Sequence, residues 1–502
     1  MRLTPGAWLD RLQARAGAFE VYLEPRVIGI LFLGFSSGLP IMLVLRTLSA
    51  WLEEAGVDKA TIGLFAFTFA PYTFKFAWAP FMDRLRLPVL TRLFGRRRGW
   101  LLPVQLCLIV AIWGLGQTSP GEDLYMTALL ALVVSFFSAS QDIVIDAYRI
   151  ELLEQHELGA GSANVVTGYR IGMWVASAGA LWLADLAGWS AAYAAMALLV
   201  LVGVIAVLLM PEPAHVDWRS DGDDRLDLAD HRQLAFLMVL AAALGVFCGL
   251  LIGSSYGSRA GWIGGVAVAV VLSGLFALLG NSAPAFRQAV IDPFRDFFER
   301  NGATIALAIL AFISVFKASD VLLTLMANPF YLETGFSKSQ IAWVSGTFGF
   351  LVTFVGSYGA GLLIYRLGIM RGLWIGAILM MASNLMFALQ AYVGANYALF
   401  HLTILIENVS GGIGTTAFIA YLASLCNVRY TAVQYALLTS FMQMLAKFVV
   451  VPGSGFLVEG LGWVPFFVMS SAAGLPALAL LWWLERQAAA PAADHAPTAA
   501  AR

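Results

Sequence analysis

The chain has 502 residues, of which 60% are hydrophobic and only 12% charged, and its net charge is −1. A soluble domain needs roughly 25% charged residues to cover its surface, so most of this surface must face lipid. The near-neutral sum excludes a nucleic-acid binder built on basic bulk, and any charge signal lies in where the charges sit. Cys107, Cys248 and Cys426 are far apart, odd in number and without metal-ligand spacing, so they read as small buried hydrophobes and no metal is expected.

The first 26 residues carry Arg2, Arg11, Arg15 and Arg26 and no long apolar core, which argues against a cleavable signal peptide. Trp8, Leu9, Leu12 and Phe19 suit an amphipathic helix on the membrane surface. Apolar runs long enough to span a bilayer, about 20 residues, then follow in three groups. Six lie near 27–50, 60–81, 100–117, 124–145, 163–184 and 190–210. A polar stretch, 211–233, mixes aspartates with Arg219, Arg225 and Arg232, and two Gly/Ala-rich runs follow at 234–253 and 261–280. Six more lie near 303–328, 340–364, 371–391, 396–420, 434–457 and 464–485, and an Ala/Pro tail closes the chain.

Arginine asymmetry sets the expected orientation. Arg84, Arg86, Arg92, Arg96, Arg97 and Arg98 crowd the second loop with no acid among them, and Arg366 and Arg371 recur on the same side. Loop 118–123 holds only Glu122 and Asp123, and loop 392–395 holds no charge. Both termini are therefore expected in the cytoplasm, with the turn between the two extra runs outside.

An internal repeat divides the chain into halves. Glu54-Ala-Gly-Val-Asp-Lys59 recurs as Glu333-Thr-Gly-Phe-Ser-Lys338, Ala147-Tyr148 as Ala420-Tyr421, and Gly188-Trp189 as Gly462-Trp463, at offsets of 279, 273 and 274. The expected divisions are a cytoplasmic segment 1–26, a six-helix bundle 27–210, a linker with two extra helices 211–302, a second six-helix bundle 303–485 and a tail 486–502.

The loop after the second run reads Asp83-Arg84, ten residues, then Gly95-Arg96-Arg97-Arg98, echoed by Gly361-x-x-x-Tyr365-Arg366-x-Gly368 in the second half. It resembles the G-x-x-x-D-R-x-G-R-R motif of major facilitator transporters in stretched form. Gly34-Phe-Ser-Ser-Gly-Leu-Pro40, Phe74-Lys75-Phe76, Ser138-Ala-Ser-Gln-Asp-Ile-Val144 with Asp146-Ala147, Gly168-Tyr-Arg-Ile-Gly172, Glu407-Asn408 and Gln434-Tyr-Ala-Leu-Leu438 sharpen this. Together they resemble the AmpG-type muropeptide permeases over roughly 27–485. Lys447 and Lys317-Ala-Ser-Asp320 depart from that pattern.

That resemblance implies an all-α membrane protein of the major facilitator fold, two six-helix bundles plus two inserted helices. It also implies import of GlcNAc–anhydroMurNAc muropeptides with protons across the bacterial inner membrane, for peptidoglycan recycling. Muropeptide, protons and the lipid bilayer are the expected partners. No cofactor, no nucleic acid and a monomer are expected. A major facilitator of another sugar conjugate or an acyl-carrier anion remains an alternative, and a membrane-embedded enzyme or sensor a remoter one.

An ionisable group inside lipid costs several kcal/mol, so it faces a cavity or a partner. The embedded set is Arg46, Lys75, Asp142, Asp146, Arg170, Lys317, Asp320, Glu407 and Lys447. Asp142, Asp146 and Arg149 share one helical face at i, i+4, i+7. Asp142, Asp320 and Glu407 are the candidate proton-coupling residues, and Asp142 leads them because desolvation favours its neutral form. Lys75, Gln141, Arg170, Lys317, Asn408, Lys447 and Tyr72 are candidate substrate contacts, with Trp51, Trp78 and Trp174 as further stacking surfaces for sugar. Asp83, Arg84, Asp146, Arg149 and Arg366 are candidate gate residues. No nucleophile–base set stands out.

Overall fold

The structure is a computed structural model and describes residues 20–84, 87, 89–213, 292–445, 457–458 and 460–489. The inserted runs 234–253 and 261–280, Lys447 and the Arg84 side chain lie outside the described residues. The chain divides into two compact units, 1–214 with 301–502, and 215–300. Of the second unit, a helix beginning at Asp292 is described. No strand occurs among the described residues.

In chain order, α1 is Pro25–Glu54, α2 covers 59–84, α3 is Arg96–Leu115, α4 is Leu124–Leu152, α5 covers 158–187 and α6 is Trp189–Leu209. After the second unit, α7 covers 303–334, α8 is Ser339–Leu367, α9 is Ile369–Val393, α10 is Tyr397–Leu425, α11 is Thr431–Leu445 and α12 is Trp463–Gln487. Among the described residues, nine helical segments are long and apolar enough to cross a membrane. The expected all-α membrane fold is what the structure has.

α2 is not among those nine. It alternates α-helical turns with tighter 3₁₀ stretches at Phe65–Phe69 and Lys75–Ala77. Each stretch runs just ahead of a proline, Pro71 or Pro80. A proline offers no N–H and its ring crowds the carbonyl four residues back, so the regular ladder fails there. α7 is interrupted at Lys317 between Ala303–Phe316 and Ala318–Thr334. π-helical turns occur at Leu43–Thr47 in α1, Val175–Gly179 in α5 and Ala342–Phe348 in α8.

The glycines of two sequence motifs explain how α1 and α5 pack. A Cβ on Gly34 or Gly38 would strike the backbone of Val165 or Tyr169, and one on Gly168 or Gly172 would strike that of Leu31 or Phe35. Glycine alone lets the two backbones approach this closely. The second half repeats the device, with Gly412 of α10 against the α8 backbone and Gly356 of α8 against that of α10.

The internal repeat corresponds to repeated contacts. Trp189 Nε1 donates to Glu54 Oε2 (3.1 Å), and Trp463 Nε1 donates to Glu333 Oε2 (2.7 Å). Asp123 caps α4 by accepting from Met126 N (2.9 Å), and Asn396 caps α10 by accepting from Leu399 N (3.0 Å). These bonds lie at the end of the molecule opposite the arginine-rich loop.

The halves meet chiefly at the arginine-rich end and through the middle. α5 packs on α8 and α10, and α11 packs on α4 and the later part of α2. Gly159 abuts Ile364, and the rings of Trp174 and Phe350 stack at 5.8 Å. At the opposite end, Leu48–Glu54, Lys59–Leu64, Phe65–Phe69 and Ala180–Ala187 pack within the first half. Ala318–Thr334, Lys338–Ile341 and Ala342–Phe348 likewise pack within the second. Among the described residues, the halves are therefore packed together at the arginine-rich end.

Candidate functional site

Two charged clusters face one another across the halves. In the first, Asp142 on α4 accepts a hydrogen bond from Ser37 Oγ on α1 (2.5 Å). One turn on, Asp146 pairs with Lys75 Nζ from α2 (3.8 Å) and with Arg149 Nη2 (3.8 Å). Lys75, at the start of the second 3₁₀ stretch of α2, is buried, and its charge acts on Asp142 as well as Asp146. Tyr72 and Tyr169 also border Asp142.

In the second cluster, Lys317 Nζ at the α7 break donates to Asp320 Oδ2 (3.0 Å) and to Thr415 Oγ1 of α10 (2.7 Å). Asn408 Nδ2 donates to Glu407 Oε2 (2.5 Å), while its Oδ1 accepts from Thr353 of α8 (2.9 Å). Arg170 on α5 faces Glu407 and Asp320 from the other half. The structure thus brings Lys75, Asp142 and Asp146 together, and separately Arg170, Lys317, Asp320, Glu407 and Asn408.

Several candidates stand elsewhere than expected. Gln141 is fully buried, with Ser36 Oγ donating to its Oε1 (3.1 Å) and its Nε2 donating to Ser36 O (2.9 Å). It ties α4 to α1 and does not line a cavity. Trp51 is 7% exposed and stacks on Trp189 at 5.6 Å, so it belongs to the core of the first half. Tyr72 is also buried, stacked on Phe69 at 4.3 Å. Trp78 donates through Nε1 to Ser140 (3.0 Å), and Trp174 is exposed. Cys107 is exposed on α3, contrary to the buried role expected of it, whereas Cys426 is buried. Arg366 is exposed at the end of α8.

The arginine-rich end is held by a buried ionic knot. Arg97, 1% exposed, donates to Asp83 Oδ1 (2.6 Å) and to both oxygens of Glu151, and Arg96 donates to Glu151 as well. Glu212 caps α3, accepting from Arg97 N (2.7 Å) and Arg98 N (3.1 Å). A carboxylate at that helix start meets unpaired amides and the positive end of the helix dipole. Arg149 is fully buried and crosses to the second half, where its Nη2 donates to Tyr435 Oη (3.1 Å). Sequence reasoning missed Glu151, Glu212, Ser37 and Tyr435. Glu151 had a local signal, two residues beyond Arg149 at the end of the same helix; Ser37 and Tyr435 lie in the motifs Gly34–Pro40 and Gln434–Leu438, which gave neither a role, and Glu212 had no signal. A cavity of about 620 Å³ also lies at this end, bordered by His156, Tyr365, Arg371 and Glu485.

Two repeated helical bundles packed together at the arginine-rich end, with charged groups between them, are the frame of a major facilitator transporter, and the Major Facilitator Superfamily model matches residues 28–327. Within that superfamily the chain belongs to the family of the AmpG-type muropeptide permeases. It is 36% identical to the anhydromuropeptide permease of Escherichia coli K12 over 92% of this chain and 80% of that one. It is 29% identical to the putative transporter AmpG 4 of Rickettsia felis over 93% of this chain and 98% of the relative. Among solved structures it is similar in fold to the proton:xylose symporter XylE (TM-score 0.56, 12% identity, 93% of this chain and 95% of that one). The transporter FucP in an outward conformation is similar to the same degree (TM-score 0.56, 12% identity, 92% and 99%).

Proposed function

We propose that this multi-pass membrane protein imports anhydromuropeptides across the bacterial inner membrane with protons, by alternating access, for peptidoglycan recycling. The arginine-rich end is taken as cytoplasmic from the loop asymmetry. On that reading the present conformation is closed inward. The observation that carries the proposal is the pair of charged clusters between the halves, beyond the packed arginine-rich end. Asp142 is the proposed proton carrier: it is held by Ser37 and flanked by Lys75, whose charge is shared with Asp146. Arg170, Lys317, Asn408 and Lys75 are the proposed receivers of peptide carboxylates and sugar hydroxyls. Gln141 is left out because Ser36 occupies both ends of its amide.

Charge balance supports coupled binding. Lys75 and Arg149 face Asp142 and Asp146, two cations against two anions. A proton on Asp142 leaves one uncompensated positive charge in a poorly hydrated site, and an acidic substrate offsets it. Purified protein in vesicles should accumulate labelled anhydromuropeptide when the outside is made acidic, and unlabelled anhydromuropeptide should compete. Accumulation of a different sugar conjugate or anion in preference to muropeptide would move the reading to the alternative solute class.

A further inference from the structure

We infer that Tyr435 is a positioning residue through which the protonation state of the Asp142 cluster sets the cytoplasmic closure; the inference rests on the proton-coupling reading above. The chain of contacts is continuous. Ser37 holds Asp142, Lys75 acts on Asp142 and Asp146, Asp146 holds Arg149, and Arg149 reaches the other half at Tyr435.

The geometry gives the chain a direction. A single nitrogen of Arg149, Nη2, contacts both Asp146 Oδ1 (3.8 Å) and Tyr435 Oη (3.1 Å). The other terminal nitrogen, Nη1, donates to Ser162 of α5 (3.0 Å). Asp146 therefore steadies the nitrogen that crosses between the halves, while Ser162 keeps the guanidinium within the first half. The guanidinium carbon also lies 5.5 Å from the centre of the Tyr435 ring. With Asp142 ionised, Lys75 is divided between two carboxylates one helical turn apart. With Asp142 protonated, Lys75 has one carboxylate left and draws on Asp146 alone. Asp146 then holds Nη2 less firmly, and the bond to Tyr435 weakens.

Loading a proton from outside thus loosens the inward closure, the order that import requires. Losing it to the cytoplasm restores the grip. The other groups bordering the carboxylates are Tyr72 of α2, Tyr169 of α5 and Tyr435 itself. All three are phenols, so within the working pH range the balance rests on Asp142, Asp146, Lys75 and Arg149.

Tyr435→Phe keeps the ring and removes only the hydroxyl, so it tests the bond without opening a cavity. Spin labels at Gln155→Cys and Leu367→Cys, exposed residues of opposite halves that border the same cavity, report closure at this end. The measurement uses the full chain in vesicles, with Cys107, Cys248 and Cys426 replaced by serine and transport by that background confirmed. At neutral pH a short distance should dominate. Asp142→Asn and Tyr435→Phe should each raise the long-distance population, by on the order of tenfold for loss of a charge-assisted hydrogen bond. Combined, they should do little more than either alone, because they act on one chain of contacts. Multiplicative effects in the double variant would overturn the inference while leaving proton coupling at Asp142 intact. Asp142→Asn vesicles that keep proton-driven accumulation would instead remove the coupling reading, and this inference with it.

Discussion

Gly34→Ala tests the packing on which the first half depends. An ideal Cβ at Gly34 would lie 2.5 Å from Val165 O and 3.0 Å from Val165 Cα. An unstrained carbon–oxygen contact is about 3.3 Å, so α1 and α5 would have to part by roughly 0.8 Å. The obstacle is helix backbone and cannot swing aside as a flexible side chain would. Overpacking of this kind costs about 1–3 kcal/mol. For a longer chain the fall in melting temperature per kcal/mol is smaller than the roughly 2–4 °C of a 150–250-residue domain, so a fall of a few degrees is expected. Gly359→Ala in α8 is the matched control, since a Cβ there meets nothing within 4 Å. Its effect should be neutral, or stabilising by up to about 1 kcal/mol through helix propensity. Thermal unfolding of the detergent-purified protein, followed by intrinsic fluorescence, reads both variants. Equal melting temperatures for Gly34→Ala and Gly359→Ala would refute the close-approach account.

Two further outcomes are expected. Asp83→Ala should insert and fold but turn over at least tenfold more slowly, because Arg97 keeps Glu151 but loses the bond that ties it to α2; wild-type transport rates in vesicles would reduce that loop to a topology signal. A reporter fused after Tyr256 should read periplasmic if the runs 234–253 and 261–280 are full spans, and a cytoplasmic signal would remove them as spans.

Much of the architecture was legible because bilayer thickness forces long apolar runs. The residues of the internal repeat proved informative: Glu54 with Trp189, and Glu333 with Trp463, form the same bond in both halves. Of the charged residues expected to find partners within the membrane, Lys75, Asp146, Lys317 and Asp320 form ion pairs, whereas Arg46 is exposed. Which partner each finds was not legible. A helix apolar on all sides gives little signal of its rotation, so Gln141 and Trp51 were assigned to a cavity that their side chains do not reach. Arg149, expected near a loop, is fully buried because Tyr435 and Ser162 receive it, and those two lie 286 and 13 residues away in sequence. Glu212 sat in a stretch that reads as linker, yet it caps α3 more than a hundred residues earlier. Such contacts depend on tertiary approach, and a single sequence carries no trace of it.

The central claim is that Asp142 carries the proton that drives accumulation. Asp142→Asn fixes the site in a neutral form, so the substrate can still cross but no proton cycle can pull it inward. The decisive measurement compares two fluxes of labelled anhydromuropeptide in the same vesicles. One is net accumulation under an inward proton gradient, and the other is exchange between equal pools with no gradient. Asp142→Asn should abolish the first and retain a substantial part of the second. Normal accumulation by this variant under the gradient would contradict the account. Loss of both fluxes in a folded protein would also contradict it, assigning Asp142 to substrate binding or bundle structure and passing the coupling role to Asp320 or Glu407.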